Sequence, residues 1–117
     1  MRTLMSCYVA AIVCGYSFAA AACETPTMNV SMPDGKAATL EQMLTAQGQV
    51  KVYQAAMTTY LACIDGETAA QGEEAPAEFK LLMVERHNAA VAEMEGVAAA
   101  FNDQLKAYKA ANPPAPK

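Results

Sequence analysis

The sequence predicts an all-α fold: a two-helix antiparallel hairpin, coiled-coil-like, with an extended N-terminal segment packed on it. Three observations lead there. Two long stretches carry apolar residues at alternating three- and four-residue spacing, the signature of a helical seam. A short acidic connection separates them, so the helices must pair as antiparallel neighbours. Ahead of the first stretch, Met28, Val30 and Met32 alternate with Thr27, Asn29 and Ser31, the period-two pattern of extended chain with one apolar face.

Residues 1–22, MRTLMSCYVAAIVCGYSFAAAA, come before these elements. Arg2 is their only charge, an apolar stretch runs from Leu4 to Phe18, and four alanines follow. A basic start, a short apolar middle and small residues at the exit predict a cleaved secretory signal peptide and a periplasmic or secreted product. The apolar part is shorter than the roughly 20 residues a bilayer span needs. Cleavage near Ala21 or Ala22 places Cys23 at or beside the new N-terminus.

Cys7 and Cys14 leave with that segment, and Cys23 and Cys63 remain. An even count in an oxidising compartment reads as one disulfide, closing a loop of about 40 residues and contributing roughly 4 kcal/mol in the chain-entropy picture. The competing reading is lipidation. Ala20-Ala21-Ala22-Cys23 is a degraded lipoprotein box, with Ala20 where leucine is usual, and acylation would leave Cys63 unpaired. Membrane attachment is expected only if Cys23 is lipidated.

Residues 23–38 contain Pro26, Pro33 and Gly35 and read as extended or turn. The first helix is expected over 39–65. Thr39 and Gln42 form a capping box, Glu41 suits the positive helix start, and Asp65-Gly66 supplies a stop. Its seam is Met43, Ala46, Val50, Tyr53, Met57, Tyr60 and Ile64. The connection GETAAQGEEAP covers 66–76, and the second helix is expected over 77–111. Its seam is Met83, His87, Ala90, Met94, Val97, Phe101, Leu105 and Tyr108. Asn112-Pro113-Pro114 ends it, and 112–117 read as a disordered tail. A turn centred near residue 71 would bring Gly48 and Gly96 close to one level, implying a close helix–helix approach there. The second helix would outrun the first by about two turns.

Of residues 23–117, 46 are apolar, but 20 of these are alanine. The few large side chains suffice for one thin helical core and not for a two-layer α/β enzyme domain. The N-terminal segment is the expected cover for the hairpin: it is long enough to double back along the first helix and bring Cys23 to Cys63. A homodimeric four-helix bundle is the second way to cover it.

Chemistry-bearing residues are sparse. His87 is the only histidine, and Met83 and His87, one turn apart, are the candidate ligands of a soft ion such as Cu(I), with Met28 or Met32 as further donors. Most methionines lie on the seams, where methionine is ordinary filler, so no metal or other cofactor is assigned. No Glu-x-x-His, CxxC, CxxCH or Gly-rich phosphate loop occurs, and no nucleophile–base pair stands out, so no catalytic residue is named and no enzymatic activity is expected. The charge of residues 23–117 is −5, which disfavours nucleic-acid binding. Glu67, Glu73, Glu74 and Glu78 read as a solvated turn cluster. Tyr53, Tyr60 and Tyr108 read as core residues needing hydroxyl partners, for which Gln47, Gln54 and His87 are within sequence reach. An unidentified protein partner is the expected mode of action.

Several short runs carry a resemblance: Cys23-Glu24-Thr25-Pro26, the turn Pro33-Asp34-Gly35, Val50 with Tyr53, Tyr60-Leu61-Ala62-Cys63, His87 to Val91, Phe101 to Gln104, and Tyr108-Lys109. In these the chain resembles a group of small exported helical proteins of Gram-negative bacteria, over nearly all of residues 23–117. The resemblance implies a periplasmic helical protein and no particular activity. It also implies pairing of Cys23 with Cys63 rather than lipidation.

Overall fold

A computed structural model describes residues 23–115. The expected signal peptide, residues 1–22, and the last two residues of the tail lie outside them. Two helices, α1 (Leu40–Gln71) and α2 (Ala77–Ala111), form an antiparallel hairpin, and no strand occurs among the described residues. Residues 23–38 form an extended strap along the hairpin, ending in a turn at Gly35–Ala37.

α1 starts as its sequence dictates. The Gln42 N–H donates to Thr39 Oγ1 at 3.2 Å, and the Thr39 N–H donates to Gln42 Oε1 at 2.9 Å, so the capping box satisfies two otherwise unpaired amides. All seven expected seam residues of α1 are buried, Met57 completely.

The helix does not stop at Gly66. It continues to Gln71, and the terminating glycine is Gly72, with φ of 70°. Glycine propensity costs only about 1 kcal/mol inside a helix, and the turns on either side of Gly66 are anchored. Ile64 is buried, Glu67 receives the Cys23 N–H, and the Thr68 hydroxyl donates to the Ile64 carbonyl. The connection shrinks to residues 72–76, and α1 and α2 become nearly equal at 32 and 35 residues. The expected two-turn overhang of α2 disappears.

The longer α1 also resets the register. Ile64 and Thr68 share a groove with Lys80, Met83, Val84 and His87 of α2, so the facing register is not the one centred on residue 71. Gly48 and Gly96 therefore do not meet. A methyl group added at either would touch nothing within 4 Å, so neither marks a close helix approach.

The tight glycine is Gly35. Its N–H donates to Gln104 Oε1 at 2.8 Å, and a Cβ there would collide with the Gln104 carbonyl and lie 2.9 Å from the Tyr108 nitrogen. The turn that delivers it is local. Asp34 O accepts from Ala37 and Ala38, and Asp34 Oδ1 accepts from the Lys36 N–H at 3.0 Å. This turn lies against Gln104 and Tyr108 in the last turns of α2. α2 ends at Asn112, whose backbone and side-chain amides both donate to the Tyr108 carbonyl.

On α2 only Met83, Ala90, Val97 and Phe101 of the expected seam are fully buried; His87, Met94, Leu105 and Tyr108 are half-exposed. The strap covers one side of the hairpin, where Thr25 lies against Tyr60, Arg86 and Glu93. No strap residue lines the groove that contains His87. Met94 and Leu105 continue the His87 row by helical phase and share its exposure. Within the strap, Val30 and Met32 pack on the core as expected, but Met28 points outward, 52% exposed.

Two opposite effects are expected from the glycines. Gly35→Ala should lower unfolding free energy by about 1–3 kcal/mol through backbone collision. Gly48→Ala or Gly96→Ala, with open space around each, should raise it by about 0.5–1 kcal/mol. Urea denaturation followed by helical circular dichroism reads both.

Candidate functional site

The strap meets α1 at Cys23 and Cys63, which form a disulfide across 40 residues with Cα atoms 5.8 Å apart. That spacing lies within the ordinary range for a bridge. Cys23 is buried and Cys63 is exposed on the outer side of α1. Cys63 and Glu67 stand four residues apart, one above the other on the same helix face.

Glu67 ties the corner together. Its Oε1 accepts the Cys23 N–H at 3.1 Å, and its Oε2 lies 3.9 Å from Arg86 Nη1 of α2. Strap, α1 and α2 thus meet at one carboxylate. The Glu67–Arg86 pair is partly exposed and contributes little by itself. Its value is positional, because it aligns a group that also holds the strap. The sulfur atoms of Cys23 and Cys63 and a carboxylate oxygen of Glu67 all lie within 4.8 Å of one another. Further along, the strap is held by the Ser31 N–H donating to Gln49 Oε1 at 2.8 Å and by the Gly35–Gln104 bond.

The expected acidic turn cluster therefore divides. Glu73, Glu74 and Glu78 remain near the connection, whereas Glu67 belongs to the disulfide corner. The i, i+4 spacing of Cys63 and Glu67 was the available signal. It is informative only if the helix is known to run past Gly66.

Met83 and His87 line a groove of about 350 Å³ on the other side of the hairpin, together with Ile64, Asp65, Lys80 and Val84. Met83 is buried and His87 half-buried. Met28 and Met32 do not reach that groove, so the wider donor set considered from sequence is not brought together.

Tyr53 is buried with a hydroxyl that makes no hydrogen bond. Neither Gln47, Gln54 nor His87 supplies one. Burial first and Glu93 second push the Tyr53 pKa up to about 12.

Compared with known proteins, the chain matches no protein-family model, no curated protein and no solved structure.

Two outcomes follow for stability. Reducing the bridge, or Cys63→Ser, should cost roughly 4 kcal/mol, with loss of the strap preceding loss of helix; hydrogen exchange at Ser31 and Gly35 against helical circular dichroism separates the two. For Tyr53 the folded pKa exceeds the ordinary value of 10, so below pH 10 both folded and unfolded states keep the proton. As pH rises from 10 towards 12 the unfolded chain ionises first and stability falls, by roughly 2–3 kcal/mol. Tyr53→Phe should remove most of that decline and cost nothing at pH 7, where it deletes an unpaired buried hydroxyl. Urea titrations at pH 7 and pH 11 measure it.

Proposed function

We propose that the protein is a small exported envelope protein that acts by binding a protein partner, or as a structural accessory, and not by catalysis. The observation that supports this is the unequal treatment of the two hairpin faces. One is partly covered by a covalently held strap. The other carries half-buried apolar side chains: Leu61, Met94 and Leu105, which pack on the core from outside, and Val91, with Val84 56% exposed beside them. Such a surface is what a partner helix or a second copy of the chain would cover.

Export fits the Cys23–Cys63 bridge, since disulfides persist in oxidising compartments. Lipidation is the alternative state of the same residue. A Cys23 sulfur in the bridge has no thiol to acylate, so the two exclude each other. The copper reading rests on Met83 and His87 alone, which share a groove but offer only two soft donors.

The intact mass of the protein recovered from a Gram-negative envelope tests the reading. The expected species begins near Cys23 and is two hydrogens lighter than the reduced chain. A species heavier by acyl chains, or one retaining residues 1–22 in the cytoplasm, would overturn exported, bridged maturation. An intrinsic enzymatic activity abolished by His87→Ala would overturn the non-catalytic assignment.

A further inference from the structure

We propose that reduction converts the disulfide corner into a zinc site, with Cys23 Sγ, Cys63 Sγ and one carboxylate oxygen of Glu67 as its protein ligands. The proposal stands on the geometry of the corner and is independent of the partner-binding reading.

The three donor atoms lie within 4.8 Å of one another. In a tetrahedral zinc site, with Zn–S near 2.3 Å and Zn–O near 2.0–2.2 Å, donors sit roughly 3.4–3.8 Å apart. Opening the S–S bond moves the two sulfurs towards that spacing, and Glu67 needs only to close in. Two of the ligands are fixed by one turn of α1, because Cys63 and Glu67 are four residues apart. The third is carried by the strap, whose other ties to the hairpin run through Ser31 and Gln49 and through Gly35 and Gln104, so zinc binding must offset the loosening of the strap that reduction brings.

The chemistry balances. A dithiol reductant gives up two electrons and two protons and becomes a disulfide. The Cys23–Cys63 bond breaks, and each sulfur takes one proton. Zinc binding then releases both thiol protons to solvent. Two thiolates and a carboxylate around a divalent ion leave one net negative charge. Arg86, 3.9 Å from Glu67 Oε2, supplies the compensating positive charge at the rim. Cys63 is exposed, so a reductant and a metal can approach the corner from its side. A pair of thiolates alone would suit a two-coordinate soft ion. The carboxylate is what selects zinc, and it is therefore the residue to vary.

The test uses the chain from residue 23, reduced with a phosphine and kept anaerobic. Cobalt serves as the optical probe, and zinc is titrated against a chromogenic chelator. The expected result is one zinc per chain with micromolar or tighter affinity, thiolate-to-cobalt charge-transfer absorption, and no binding by the oxidised protein. Glu67→Gln should weaken zinc at least tenfold while keeping helical circular dichroism. Cys63→Ser should abolish the site, and Asp65→Asn, one turn-position away, should leave it unchanged. No binding by the reduced protein, equal affinity in Glu67→Gln, or one zinc shared by two chains would each overturn the proposal. A reduced strap that leaves the hairpin gives the first of these results.

Discussion

The strap is held to the hairpin by one covalent bond and a few polar contacts, and the rest of the molecule depends on that attachment. Fixing a residue costs about 1–2 kcal/mol of conformational entropy. The strap returns little for each residue, because only Cys23 and Gly35 are fully buried within it and Val30 and Met32 are half-covered. Its hydrogen bonds to Glu67, Gln49 and Gln104 are each worth about 1 kcal/mol net. The disulfide changes the balance by restricting the unfolded chain, so that less entropy remains to be lost on docking. Without the strap, the α1 seam would have one side open to water along most of its length.

The attachment also explains why α1 is longer than its own punctuation suggests. Thr39 and Gln42 are strong local signals, and local chemistry suffices to start the helix. Asp65-Gly66 is an equally plausible local stop, but it sits between residues with long-range obligations. Ile64 packs in the core, Cys63 is tied to Cys23, and Glu67 bridges the strap and α2. A glycine penalty of about 1 kcal/mol is smaller than those anchors together. Once the helix passes Gly66, the register follows, and with it the separation of Gly48 from Gly96.

What was legible in sequence was therefore whatever depends on periodicity or covalent necessity. The seven buried positions of α1, the hairpin, the doubling-back of residues 23–38 and the meeting of Cys23 with Cys63 all follow from spacing and cysteine number. The Glu67 corner and the Gly35 contact do not, because each joins residues 44 or more apart in the chain through one side chain. Tyr53 illustrates the same limit from the other side. Heptad spacing places the ring in the core, but whether its hydroxyl finds a partner depends on the register, and in this register it does not.

The two faces of the hairpin impose different constraints on evolution of the surface. On the strap side, two positions are tied directly to backbone. Gly35 lies on the carbonyl of Gln104, and Glu67 accepts a main-chain amide. On the other side, Val84 is exposed and His87, Val91 and Met94 are half-buried, so each keeps solvent-facing surface that a substitution would change. Met94 and Leu105 also pack on the core, so only part of each side chain is left facing water. Covering that hydrocarbon is what the proposed partner would do. The strap serves the thin core from the other side: tied by the Cys23–Cys63 bridge, it brings Val30 and Met32 onto it.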